Sequence, residues 1–253
     1  MIRVAAVGDI HMAPESEGTL RPAFETLPGC ADVLLLAGDL TRHGTPEEAR
    51  VVAREIKDLP VPVVAVLGNH DHHDERPDEV TGILQEAGAQ VLEGRSAVVT
   101  TAAGARIGVA GTKGFGGGFV GRCAGEFGEP LMKEFVRYSR RCADGLLAAL
   151  KELDERDCDV RIALTHFSPV PDTLAGEPPE IYPFLGSYLL AEAIDTAGAD
   201  LAVHGHAHAG TEHGMTSGGV RVRNVAQPVI GQAFHVYHLP VARRTERTDQ
   251  QPA

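Results

Sequence analysis

The chain has 253 residues, 35 acidic against 23 basic, for a formal net charge of -12, and 43% of its residues are hydrophobic. That acidity argues against a nonspecific grip on nucleic acid or anionic membrane, since both need clustered Lys and Arg. No apolar run approaches the roughly 20 residues of a membrane span, so a soluble protein with no membrane partner and a sizeable core is expected.

In chain order, the first apolar run, Val4 to Val7, reads as a buried strand and ends in Gly8-Asp9-Ile10-His11. Val33 to Ala37 leads in the same way to Gly38-Asp39. Pro46, with Glu47 and Glu48 behind it and Thr45 as N-cap, opens a helix to about Asp58. Val63 to Leu67 precedes Gly68-Asn69-His70-Asp71, and the charged stretch Asp71 to Glu79, with His72 and His73, reads as a solvated loop. Extended segments are expected at Ala97 to Thr101 and Arg106 to Ala110, before a glycine-rich run over 111–121.

A long amphipathic helix is predicted from Pro130, with Leu131, Phe135, Tyr138, Cys142, Leu146, Leu150 and Leu153 recurring at spacings of three and four. Gly145 weakens its middle by about 1 kcal/mol relative to Ala. Ile162 to Leu164 leads to Thr165-His166, a shorter helix fits Tyr188 to Ala197, and Leu201 to Val203 leads to His204-Gly205-His206-Ala207-His208. Val220 to Val225 and His235 to Leu239 read as further strands. Connections in the second half are too short for helical crossovers throughout, so a mixed sheet, or two packed sheets flanked by helices, is expected.

Five strands thus end in polar clusters able to hold divalent metal. In open α/β sheets such groups gather outside the carboxyl ends of the strands, so a single site is expected. No Pro/Gly/Ser-rich linker separates Asp9 from His208, which predicts one domain over 1–240, with a tail over 241–253 that lacks apolar period. Cleavage of a signal peptide would remove Asp9, and the four cysteines contain no C-x-x-C; both point to a cytoplasmic protein with reduced thiols.

Taken together and in order, Gly8-Asp9-Ile10-His11, Gly38-Asp39-Leu40-Thr41-Arg42, Gly68-Asn69-His70-Asp71, the lone His166 and Gly205-His206-Ala207-His208 resemble the motif set of calcineurin-like metallophosphoesterases. The resemblance implies a four-layer αββα sandwich of two mixed sheets flanked by helices. It makes Asp9, His11 and His208 ligands of one metal, gives Asn69, His166 and His206 to the other, and has Asp39 bridge them. It implies two divalent ions, manganese first with iron or zinc as alternatives, since imidazole suits all three and carboxylate and amide oxygens suit manganese. A shared hydroxide would attack phosphorus, with His70 stabilising developing charge or protonating the leaving oxygen. The implied substrate is a small phosphate ester, a cyclic nucleotide or related diester. A phosphomonoesterase and a non-catalytic metal-binding interaction module are the alternatives.

Blander readings compete. An Asp after a strand often only caps the next helix; Asn69 could be a turn residue; His206 and His208, two apart on an extended segment, would point the same way without forming a site. Arg42 departs from two subgroups of the family, which carry an acidic residue there, so its side chain cannot accept a hydrogen bond from His70. It could clamp a phosphate oxygen, or pair on the surface with Glu47, Glu48 or Asp71. His204 could orient a ligand. The 111–121 run could be a mobile loop, with Lys113 meeting an anion and Phe115 or Phe119 an apolar leaving group, or a flexible connection without chemistry.

Overall fold

Strand β1 (Ile2–Val7) sends Ile2, Val4 and Ala6 into one apolar core and Ala5 and Val7 into another, as the two-residue repeat of an extended chain requires. Burial on both faces is why such strands read as unbroken apolar runs. The structure, a computed structural model, describes residues 1–241, so all of the expected tail beyond Val241 lies outside the described residues.

After β1 come β2 (Val33–Ala37), β3 (Val63–Val66) and β4 (Ala89–Val91), all parallel. A second sheet holds β5 (Arg95–Thr100), β6 (Arg106–Thr112), β7 (Val160–Thr165), β8 (Leu201–His204), β9 (His213–Met215) and β10 (Arg221–Asn224). The last strand, β11 (His235–Leu239), returns antiparallel to β1. The orders are β11-β1-β2-β3-β4 and β9-β10-β8-β7-β6-β5, with antiparallel pairs at both edges of the second sheet, so both sheets are mixed.

Between the sheets, Val4, Leu35 and Val64 pack with Val109, Ile162 and Val203. On the outer face of the first sheet lie α1 (Pro46–Ile56) and α2 (Pro77–Glu86), whose Val52, Ile56, Val80 and Leu84 join Leu34, Leu36 and Ala65. On the outer face of the second lie α3 (Pro130–Asp154) and α4 (Tyr188–Ala197), with Leu146, Leu150 and Ile194 against Ala110, Ala163 and Ala202. The result is the expected four-layer αββα sandwich. None of the described helices is long and apolar enough to cross a membrane.

Three local expectations change, and one gains a reason. Helix α1 ends at Ile56, not Asp58, although Thr45 caps it as expected and forms a capping box with Glu48. Of the stretch from Asp71 to Glu79, expected as a solvated loop, only residues 73–76 form an exposed connection, because a 3-10 turn occupies His70–His72 and α2 starts at Pro77. Leu131 sits outside the buried stripe of α3, fully on the surface. Gly145 has a packing reason to interrupt that helix, since a Cβ there would stand only 3.2 Å from the Cα of Gly94.

The 111–121 run also differs. Gly111 to Phe119 is almost entirely buried, and the N–H groups of Gly117 and Gly118 donate to the carbonyls of Pro183 and Gly186 at 2.6 and 2.9 Å. A Cβ on Gly116 or Gly118 would meet the backbone of Pro183 or Arg122, and one on Gly111 or Gly114 the side chains of Val66 or Leu190. Lys113 lies inside a cage of Phe115, Tyr138 and Phe167, its Nζ 5.0 to 5.5 Å from their centroids.

Candidate metal centre

At the carboxyl ends of β1, β2, β3, β7 and β8 the chain turns sharply. Asp9, His11, Asp39 and His206 all take positive φ, between 40° and 71°, a conformation Asp and His tolerate better than most residues but which still costs on the order of 1 kcal/mol or more each. The loops are held in register: Asp9 N–H donates to the Gly38 carbonyl at 2.9 Å and His11 N–H to the Asp39 carbonyl at 3.0 Å. Two glycines are required by approach. A Cβ on Gly68 would overlap Asp39 Oδ1, and one on Gly205 would overlap Asp9 Oδ2.

Donor atoms of Asp9, His11, Asp39 and His208 all lie within 4.8 Å of one another, and those of Asp39, His166 and His206 do the same. Asp39 belongs to both groups. Asn69 Oδ1 completes the second, 3.0 Å from His166 Nε2. The seven residues singled out from sequence thus come together from five separate loops. His206 and His208 do so differently from expectation, because positive φ at His206 breaks any extended run and the two rings diverge. His208 Nε2 reaches Asp9 at 2.9 Å, whereas the His206 ring lies 4.8 Å from that of His166.

The donors are electrostatically prepared for a cation. Burial works to raise the pKa of Asp39, but His166 beside it and the N–H of His70 outweigh burial and hold the carboxyl well below the usual carboxylate range. Burial likewise opposes charge on His166, yet Asp39 and Asp9 lift its pKa to about 9. Positive charge is therefore stabilised where the two groups meet, the place a divalent ion would fill. His166 Nδ1 sits 2.9 Å from the Ala37 carbonyl, which can only accept, so Nδ1 carries the hydrogen and Nε2 faces the donors. His206 is pushed down to about 3 by burial and then by His166, and His11 is lowered by burial; both favour the neutral imidazole that binds metal. His208 is raised through its hydrogen bond with Asp9. A donor set of oxygens and imidazoles fits manganese, iron or zinc.

His70 stands at the edge of the cluster, Nε2 3.9 Å from Asp39 Oδ2 and its ring centroid 4.6 Å from that of His11. Its Nδ1 lies 2.8 Å from the backbone carbonyl of Arg42. Position 42 orients His70 after all, through the main chain, which every residue type supplies. The Arg42 guanidinium is outside the cluster and pairs with Glu15, none of the partners considered from sequence.

Asp71, taken from sequence only as a surface partner for Arg42, is fully buried. It accepts from the N–H groups of Thr41 and Gly68, both at 2.8 Å, of Leu40 at 3.2 Å, and from the Thr41 hydroxyl at 2.6 Å. It ties the loop bearing Asp39 to the loop bearing Asn69. Its place at the end of Gly68-Asn69-His70-Asp71 is the signal that could have found it. Asn224 does similar work, its amide donating to the Ala207 carbonyl at 2.8 Å between the two histidines. His204 contacts no proposed ligand side chain; buried and lowered to about 4, it bonds the Gly205 carbonyl and Thr173. His72 is half-buried, and burial and then Lys113 push it down to about 4.

The calcineurin-like phosphoesterase family profile matches residues 2–210. A Synechococcus protein named a probable cyclic nucleotide phosphodiesterase is 30% identical over 91 residues, 32% of this chain and 35% of that protein, so the match spans about a third of the relative's length. Among solved structures, the protein TT1561 from Thermus thermophilus aligns with a TM-score of 0.55 at 21% identity, over 88% of each chain. A Staphylococcus aureus protein provisionally named a 5'-nucleotidase aligns at 0.54 and 16% identity, over 88% of this chain and 48% of its own. With the profile covering more than four fifths of its length, the chain belongs to the calcineurin-like phosphoesterase family.

Proposed function

We propose that this phosphoesterase hydrolyses small phosphate diesters at a dinuclear centre, with Asp9, His11 and His208 holding one divalent ion, Asn69, His166 and His206 the other, and Asp39 bridging. The observation that carries the reading is the buried Asp39 carboxylate common to both donor groups. Two ions held there would supply a nucleophilic water near neutral pH and would neutralise charge on the phosphoryl oxygens. The chain's own contribution is position: positive-φ loops, packed glycines and the buried Asp71 carboxylate fix where the donors stand.

His70 is the residue for the leaving oxygen. With Nδ1 turned to the Arg42 carbonyl, Nε2 faces the site and is the atom that would hand a proton to the leaving oxygen as the ester bond breaks. The phosphate clamp considered for Arg42 is not part of this scheme, because its guanidinium is turned to Glu15 on the surface. Preference for diesters draws on the name of the Synechococcus relative.

Elemental analysis and hydrolysis of bis-p-nitrophenyl phosphate against p-nitrophenyl phosphate, with manganese, test the reading on one preparation. Two metals per chain with diester turnover are expected. Turnover confined to the monoester would replace the diesterase with a phosphatase. Folded protein that binds no manganese, iron or zinc and turns over neither ester would leave an interaction module.

A further inference from the structure

Next to the metal centre the acidic surface gives way to apolar groups. Val120, Phe127, Leu131, Met132 and Phe184 are exposed, Leu131 to 81%. Leu131, Met132, Phe135 and Phe184 line a cavity of about 880 Å³, with Arg122 and Glu129 among its few polar walls. That size and lining are those of a small-molecule site, where apolar walls bind and a few polar groups orient.

The cavity adjoins the chemistry through Phe184. Phe184, one of its walls, places its backbone carbonyl 3.2 Å from Nε2 of His206. Packed rings fill the space between them, from His206 to Phe167 at 4.3 Å, to Phe115 at 5.6 Å, and to Phe135 in the cavity wall at 5.2 Å. A group attached to phosphorus at the metal centre therefore has an apolar recess beside it.

We propose that this recess takes the alkyl or acyl chain of the substrate, so that the enzyme acts on phosphodiesters carrying a long apolar group; the inference rests on the diesterase reading above. A cyclic nucleotide, polar on all sides, would leave the cavity walls wet. An apolar chain would remove them from water at about fourfold in affinity for each methylene fully buried.

The test is a series of methyl, butyl, hexyl and octyl p-nitrophenyl phosphodiesters, each below its micellar concentration, with the manganese-loaded protein. All share one leaving group, so KM reports the recess. KM is expected to fall at least about tenfold from methyl to hexyl, and Leu131→Glu and Met132→Glu, on surface positions that folding does not use, are expected to flatten that fall. Turnover of every ester at one KM would overturn the recess and leave the diesterase standing.

Without turnover of any diester, the diesterase reading falls, and calorimetric titration of methyl to octyl phosphates decides the recess. A Kd that tightens with length in the parent and not in the variants keeps it; a flat Kd overturns it. A flat series in a protein that sediments as a dimer, and that Leu131→Glu splits, would assign the face to a second copy of the chain.

Discussion

Asp71 reaches the site without touching it. One carboxylate satisfies three N–H groups and a hydroxyl from two loops, in a setting where burial and then Asp39 raise its pKa. Asp71→Asn keeps the shape but turns an NH2 toward donors, leaving buried groups unpaired at a cost of about 1–3 kcal/mol. Urea denaturation should show that loss. Because the loops carrying Asp39 and Asn69 then drift, metal content should fall with it; unchanged metal content would show that the loops hold without the clamp. Much of this was hidden from sequence because a motif letter does not say which way its side chain points. The same ambiguity affected Arg42, whose identity suggested a lost contact with His70 while its carbonyl, invisible in a side-chain code, supplied one.

Among the elements, α1 was the most legible, since Thr45, Pro46 and Glu48 spell out its start. Thr45 Oγ1 accepts from Glu48 N–H at 3.3 Å, and Thr45→Ala should lower stability by about 1 kcal/mol. Burial works to raise the pKa of Glu48, but the ring and N–H of His43 outweigh it and hold it below its ordinary value. A carboxyl lowered by folding stabilises above its unfolded pKa, and that contribution disappears as pH falls through the folded value. Thermal melts from pH 7 to pH 3 should therefore fall less steeply in Glu48→Gln than in the parent; parallel curves would remove Glu48 from the acid transition. Helix α2 was missed because its opening, Pro77-Asp78-Glu79, continues the charged run from Asp71, and polarity was read as a loop when it was an N-terminal turn. The glycine run misled in the opposite sense. Its flexibility in sequence is consumed by close packing against Pro183 and Gly186.

At the scale of the molecule, the strands and the convergence of their ends were readable because buried parallel strands must be apolar throughout and the polar residues that follow stand out against them. What was not readable was the recess beside Phe184, assembled from residues 121–124, the start of α3 and the segment at Pro183 and Phe184, which share no pattern. With a net charge of -12 and carboxylates brought together at one rim, the fold should gain from divalent ions. At a free concentration of 100 Kd a single ion adds about 2.7 kcal/mol, which for a chain of this length corresponds to a Tm higher by about 5–10 °C. Calorimetry with chelator and then with manganese should show that gain returning as metal is restored; a Tm indifferent to both would count against a structural demand for the ions.

Strand β1, which carries Asp9, is inner, paired on one side by β2 and on the other by β11. On a ribosome the second partner does not exist until residues 235–239 have been made. Until then β1 is the open margin of a sheet, with unpaired N–H and C=O groups beside some of the most apolar sequence in the chain. Nascent protein would therefore pass through a sticky stage that ends only with the closing strand, and chaperone dependence during synthesis, more than the stability of the finished fold, would set how much of it a cell obtains.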